Sequence, residues 1–244
     1  MVFLIFLLGI IIGLFLNVCI YKLARKQSLT SLYLQCSNCN KYSKRYNIRG
    51  KGSYCYEKTY PLFFLVLLVT GILFVLLFYK FHISFPFMIY SFILSLLIII
   101  AFIDIDFKII PDMLVLSILV GAIVYEFKLS FEYKSFVNLL DSILGLIIGG
   151  FLFILIYIFS KGGIGGGDIK LISVLGFILG IPKIFLSIFL SFLLGGVVSI
   201  VFLAFRIKKK EDSIPFGPFI VLAFIITFFW GEEIIYWYLL KLWN

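Results

Sequence analysis

The chain has 244 residues, of which 63% are hydrophobic and 14% charged, and its mean hydropathy is +1.19. Such a balance excludes a soluble globular domain and places the chain in lipid. The net charge of +9 reads as orientation and attraction to anionic lipid rather than as a nucleic-acid-binding surface.

Long uncharged runs recur, and each approaches the roughly 20 residues a helix needs to cross hydrocarbon. The first begins at Met1, carries no basic segment ahead of it and no small-residue cleavage site before the cationic stretch at Lys22, and is expected to be a retained helix. Further apolar runs over 61–79, 86–103, 112–126, 139–159, 168–182, 184–205 and 217–238 bring the count to eight. The fourth and sixth are short for a crossing, so they are expected to tilt, to thin the bilayer or to pack inside the bundle. The fold expected is all-α: a polytopic membrane bundle with a small cytoplasmic lobe after the first helix. Residues 1–21 form the first helix, 22–60 the lobe, and 61–244 a seven-helix membrane domain.

Basic residues give the orientation. Segments 22–60, 104–111, 160–170 and 206–215 hold 16 of the 21 lysines and arginines, so they are expected on the cytoplasmic side, with both termini opposite. The lobe carries Cys36 and Cys39 as a CxxC, followed by Cys55. Thiolates two residues apart can aim at one metal, but a closed zinc shell takes four ligands and only three are present. His82, the lone histidine, falls on the opposite side. Cys36, Cys39 and Cys55 are therefore the candidate metal ligands, weighed against reduced thiols with no metal; disulfides are not expected in that compartment.

Most of the twelve acidic residues read as solvated or interfacial charges, Glu57, Glu126, Glu132, Glu211, Asp212, Glu232 and Glu233 among them, and Asp141 as an outer-interface residue. Two clusters differ. In IDIDFKIIPD, residues 103–112, Pro111 marks a helix boundary and Asp112 reads as a cap for the helix after it. Asp104 closes an unbroken apolar run, where a helix C-terminus disfavours a negative charge, so something else must favour it. In GGIGGGDIK, residues 162–170, five glycines within six residues cannot be helical and allow close backbone approach, and Asp168 then stands at a helix N-terminus, as a plain cap or as a functional carboxylate. The Walker pattern is absent.

The two clusters are expected at one depth on different helices, the arrangement a carboxylate dyad requires. Two close carboxylates share a proton, one polarising a peptide carbonyl while the other deprotonates water. There is no second histidine, no GxSxG and no HExxH to support another peptidase chemistry.

These paired motifs resemble the type IV prepilin peptidases, within the GxGD group of intramembrane aspartic peptidases. FLNVCIYKL at 15–23, YPL at 60–62 and IPFGPFI at 214–220 resemble that family's first-helix ending and its entries to the second and last helices. Asp104, seven residues before Pro111, matches the first catalytic aspartate, and Asp168 the second, in the pattern of Gly163, Gly165 and Asp168; Asp106 is then a neighbour. The resemblance runs from the first helix to the last.

It implies a peptidase of the inner (cytoplasmic) membrane that cuts the basic leader from prepilins or pseudopilins at the cytoplasmic face, with no cofactor for proteolysis. Many members also N-methylate the new terminus with S-adenosylmethionine, and these commonly carry two CxxC pairs in the lobe. Here RGKGSYC at 49–55 has Gly52 where the second pair would begin, and Phe63 and Phe64 stand where the family has an acidic residue, which leaves zinc and methylation open. The alternatives are a GxGD peptidase of the preflagellin or signal-peptide-peptidase type, a transporter using the aspartates near mid-membrane, and a non-catalytic scaffold.

Overall fold

The computed structural model describes residues 1–24, 34–35, 42–43, 60–133, 136–160, 163–205 and 215–243. Eight helices follow one another among these residues: α1 (Val2–Ala24), α2 (Tyr60–Phe81), α3 (Phe85–Phe107), α4 (Asp112–Tyr133), α5 (Val137–Phe159), α6 (Gly166–Leu179), α7 (Ile181–Ala204) and α8 (Gly217–Trp243). Between α1 and α2, β1 (Leu34–Gln35) and β2 (Tyr42–Ser43) pair antiparallel, Leu34 opposite Ser43. The protein is a polytopic helical membrane bundle: all the helices but α6 are long and apolar enough to span a bilayer. At 14 residues α6 covers about 21 Å, short of the roughly 30 Å of hydrocarbon.

The expected short fourth helix is corrected. It runs for 22 residues, past the end of its apolar run, because Glu and Lys are good helix formers. Glu126 is corrected with it: it lies within this helix, only 8% exposed, where the Ser142 hydroxyl on α5 meets its carboxyl, so it is not a solvated loop charge.

The chain divides into two compact units, Met1–Ile99 and Ile100–Asn244. In the first, α1 and α2 pack through small residues: a Cβ on Gly9 would lie 2.8 Å from Gly71 Cα, and one on Gly13 would collide with Thr70 Oγ1. This is how apolar helices associate in lipid, where burial gives no advantage over contact with acyl chains and close backbone approach supplies the dispersion energy. Thr70 Oγ1 returns its proton to the Val66 carbonyl at 2.8 Å, so the polar group costs little at the seam.

In the second unit, α5 and α6 make the closest approach, with Gly145 and Gly176 so near that a methyl on either would strike the other's carbonyl. Gly180, with φ of 73°, ends α6, and α7 begins at the next residue, its first N–H donated by Ile181 to Asp141 Oδ1 at 3.2 Å. Phe216 lies against Phe153 and Phe192, with ring centroids 6.2 and 5.2 Å apart, and this cluster fixes the entry to α8.

Candidate active site

At one end of the second unit the C-terminus of α3 meets the N-termini of α4, α6 and α8. Asp104 sits in the last turn of α3, three residues before its end rather than at its final residue as the apolar run suggested, because the helix carries on through Ile105, Asp106 and Phe107. Lys108 then turns the chain at φ of 54° while its N–H still donates to the Asp104 carbonyl at 2.9 Å. The Asp104 carboxylate is buried, 5% exposed, and its Oδ2 accepts the Gly217 N–H at 2.9 Å. Gly217 is the first residue of α8, so an unsatisfied helix donor and a positive dipole end offset the unfavourable C-terminus of α3.

Asp168 is also buried, at 8% exposure. The first turn of α6 holds it: Gly165 occupies the N-cap with extended backbone, φ −73° and ψ 146°, and its N–H donates to Asp168 Oδ2 at 3.2 Å. Asp168 thus stands three residues inside the helix and reaches back over the cap. Its Oδ1 is buried with no hydrogen-bond partner among the described residues, a costly state for a group that serves only as a cap. Burial, with a further contribution from the Asp104 charge, pushes its pKa up from 3.8 to about 6, against the opposing effect of the Gly165 N–H. The charge of Asp104, on α3, thus acts on Asp168 from a separate helix.

Gly163 and Pro111 precede α6 and α4 respectively. Gly163 donates its N–H to the carbonyl and the hydroxyl of Ser160, at 3.2 and 3.1 Å. Pro111 lies just before α4, where its carbonyl accepts from Leu114 and Val115. The reading of Asp112 as a cap is corrected: it is the first residue of α4 and exposed, and both its oxygens accept from Lys170 Nζ at 2.9 Å. Asp106 is exposed. Cys36, Cys39 and Cys55 lie outside the described residues, and among the described ones no group of three histidine, cysteine or acidic side chains converges on a point where a metal would sit.

Sequence reasoning missed the donor at Gly217 and the Lys170 pair. The first had a local signal, since a glycine followed by Pro218 marks a helix beginning.

The family model described as the type IV leader peptidase family matches residues 91–200, and that of the bacterial peptidase A24 N-terminal domain matches 7–81. A prepilin leader peptidase/N-methyltransferase of Bacillus subtilis is 32% identical over 199 residues, 78% of this chain and 75% of that protein. The chain belongs to the type IV leader peptidase family. A protein of the same name from Aeromonas hydrophila is 32% identical over 59% of the chain but 49% of its own length, so the chain spans about half of that relative. One from Pseudomonas putida is 26% identical over 93% of the chain and 90% of that protein. No solved structure matches the chain. Asp104 and Asp168 both fall inside the segment matched by the peptidase model.

Proposed function

We propose that this leader peptidase family member is an aspartic endopeptidase that removes the basic leader of prepilin or pseudopilin substrates, with Asp104 and Asp168 as its catalytic pair. The observation that carries the reading is a pair of buried carboxylates on different helices, with Asp168 under the influence of the Asp104 charge and its Oδ1 without a hydrogen-bond partner among the described residues. A buried carboxylate pair favours a singly protonated state, because the second ionisation must overcome both desolvation and repulsion. The protonated partner donates to the scissile carbonyl oxygen, and the ionised one takes a proton from the attacking water. The tetrahedral intermediate collapses when a proton passes to the leaving amine. Proton transfer of this kind contributes about 10²–10⁴-fold to rate.

Gly217 supports the assignment of roles. Its N–H stabilises charge on Asp104, while Asp168 accepts a longer bond and has an oxygen without a partner among the described residues, so Asp168 is the carboxyl that carries the shared proton at rest. In this reading residues 1–21 anchor the chain, 22–60 form a cytoplasmic lobe and 61–244 hold the peptidase. The basic segments orient it in the inner membrane with the pair facing the cytoplasm. Proteolysis needs no cofactor; S-adenosylmethionine is the methyl donor where the N-methyltransferase activity in the relatives' name is retained. The partners are the substrate chains and membrane lipid, not nucleic acid. Asparagine at either aspartate, assayed on a substrate with a basic leader, a glycine and a long apolar helix, tests the proposal.

A further inference from the structure

Asp104 and Asp168 reside on separate helices, so their separation depends on what joins those helices. The segment after Asp104 touches the first turn of α6 at two points. Ile110 packs on Gly167 so closely that a Cβ on Gly167 would lie 2.9 Å from Ile110 Cβ and 3.5 Å from its Cγ1 and Cδ1. Lys170 Nζ reaches both oxygens of Asp112 at 2.9 Å. Gly167 and Lys170 flank Asp168 within one turn of α6, and Ile110 and Asp112 flank Pro111, whose ring fixes the backbone between them. Each side of the contact is therefore stiff.

We propose that this two-point dock, Gly167 on Ile110 and Lys170 with Asp112, sets the distance between the two carboxylates, and that these four are positioning residues for the reaction. The inference rests on the dyad reading. Asp112 and Lys170 are 68% and 57% exposed, and an ion pair so exposed adds little to global stability. Its value lies in geometry: a displacement of about 1 Å in a catalytic group costs on the order of a hundredfold in rate. The steric contact limits how near the 108–111 segment comes to α6, and the ion pair limits how far it drifts.

The experiment uses the full chain in lipid and a purified substrate with a basic leader. Asp112→Lys and Lys170→Asp are each expected to lower kcat about tenfold with KM unchanged, and the double reversal to recover most of the loss. Lys170→Arg should retain activity, since it keeps the charge. Gly167→Ala should also lower kcat, and Ile110→Gly added to it should restore the rate by removing the opposing Cβ. Asp168→Asn runs alongside. If both single reversals keep full kcat while Asp168→Asn is inactive, the dock is refuted and the dyad stands. If Asp168→Asn cleaves at the normal rate, the dyad itself fails. A raised KM that the double reversal does not repair makes Lys170 a substrate contact and overturns the positioning role.

Discussion

The Gly217 N–H donates to Asp104 Oδ2 at 2.9 Å, so the first residue of α8 holds a carboxylate buried in the last turn of α3. The contact leaves no room for a side chain: a Cβ on Gly217 would lie 2.8 Å from that oxygen and 3.3 Å from Asp104 Cβ. Gly217→Ala must displace either the carboxylate or the start of α8, and Phe216, locked among Phe153, Phe192 and Phe219, keeps α8 from moving freely. Cleavage should fall by about tenfold or more, with little loss of folded protein. Wild-type turnover by Gly217→Ala would remove the donor from the account.

The elevated pKa of Asp168 has a consequence for stability. For a carboxyl raised from 3.8 to about 6, the folded state binds the proton more tightly than the unfolded chain does. The stabilisation is complete below pH 3.8 and is lost as pH rises through about 6. Asp168→Asn lacks this loss, so its thermal midpoint in detergent should exceed that of the native protein above pH 6 and the gap should narrow in acid. A gap that is constant with pH would mean that Asp168 is not held protonated by the fold. Cleavage should show apparent values that belong to the pair, not to one residue.

How much of this was legible follows from the scale of each signal. The helices and the two aspartates stand out in sequence because a bilayer demands long apolar runs and penalises charge, so each exception is visible. Glu126 was misjudged because its helix outlasts its apolar run, and its partner Ser142 lies on the next helix, 16 positions away. Asp112 and Lys170 are 58 residues apart, and nothing local distinguishes a paired aspartate from a cap at a helix start. Gly217 was legible as a helix beginning but not as a ligand of Asp104, 113 residues earlier, since a backbone N–H leaves no mark in the sequence.

The three cysteines of the lobe should be dispensable for proteolysis, since the proposed chemistry needs only the two carboxylates. Replacing Cys36, Cys39 and Cys55 by serine should leave leader cleavage largely intact, with any loss confined to N-methylation or expression. Mass spectrometry of the cleaved N-terminus and metal analysis decide it. Stoichiometric zinc whose removal stops cleavage would make the lobe part of the peptidase.

Orientation follows from the basic segments and is open to labelling. In a chain stripped of its native cysteines, single cysteines at Ser31 and Lys209 should react with an impermeant reagent from the same side of the membrane. Reaction from opposite sides would contradict the topology.

The central claim is that Asp104 and Asp168 act as one proton-sharing pair, and leader cleavage by Asp104→Asn and Asp168→Asn, each inserted and folded as the native protein, tests it most directly. The account predicts loss of at least a hundredfold for either variant, with the double variant no worse than the singles because the pair acts as a unit, and with Asp106→Asn near normal. Full cleavage by either Asp104→Asn or Asp168→Asn would contradict it.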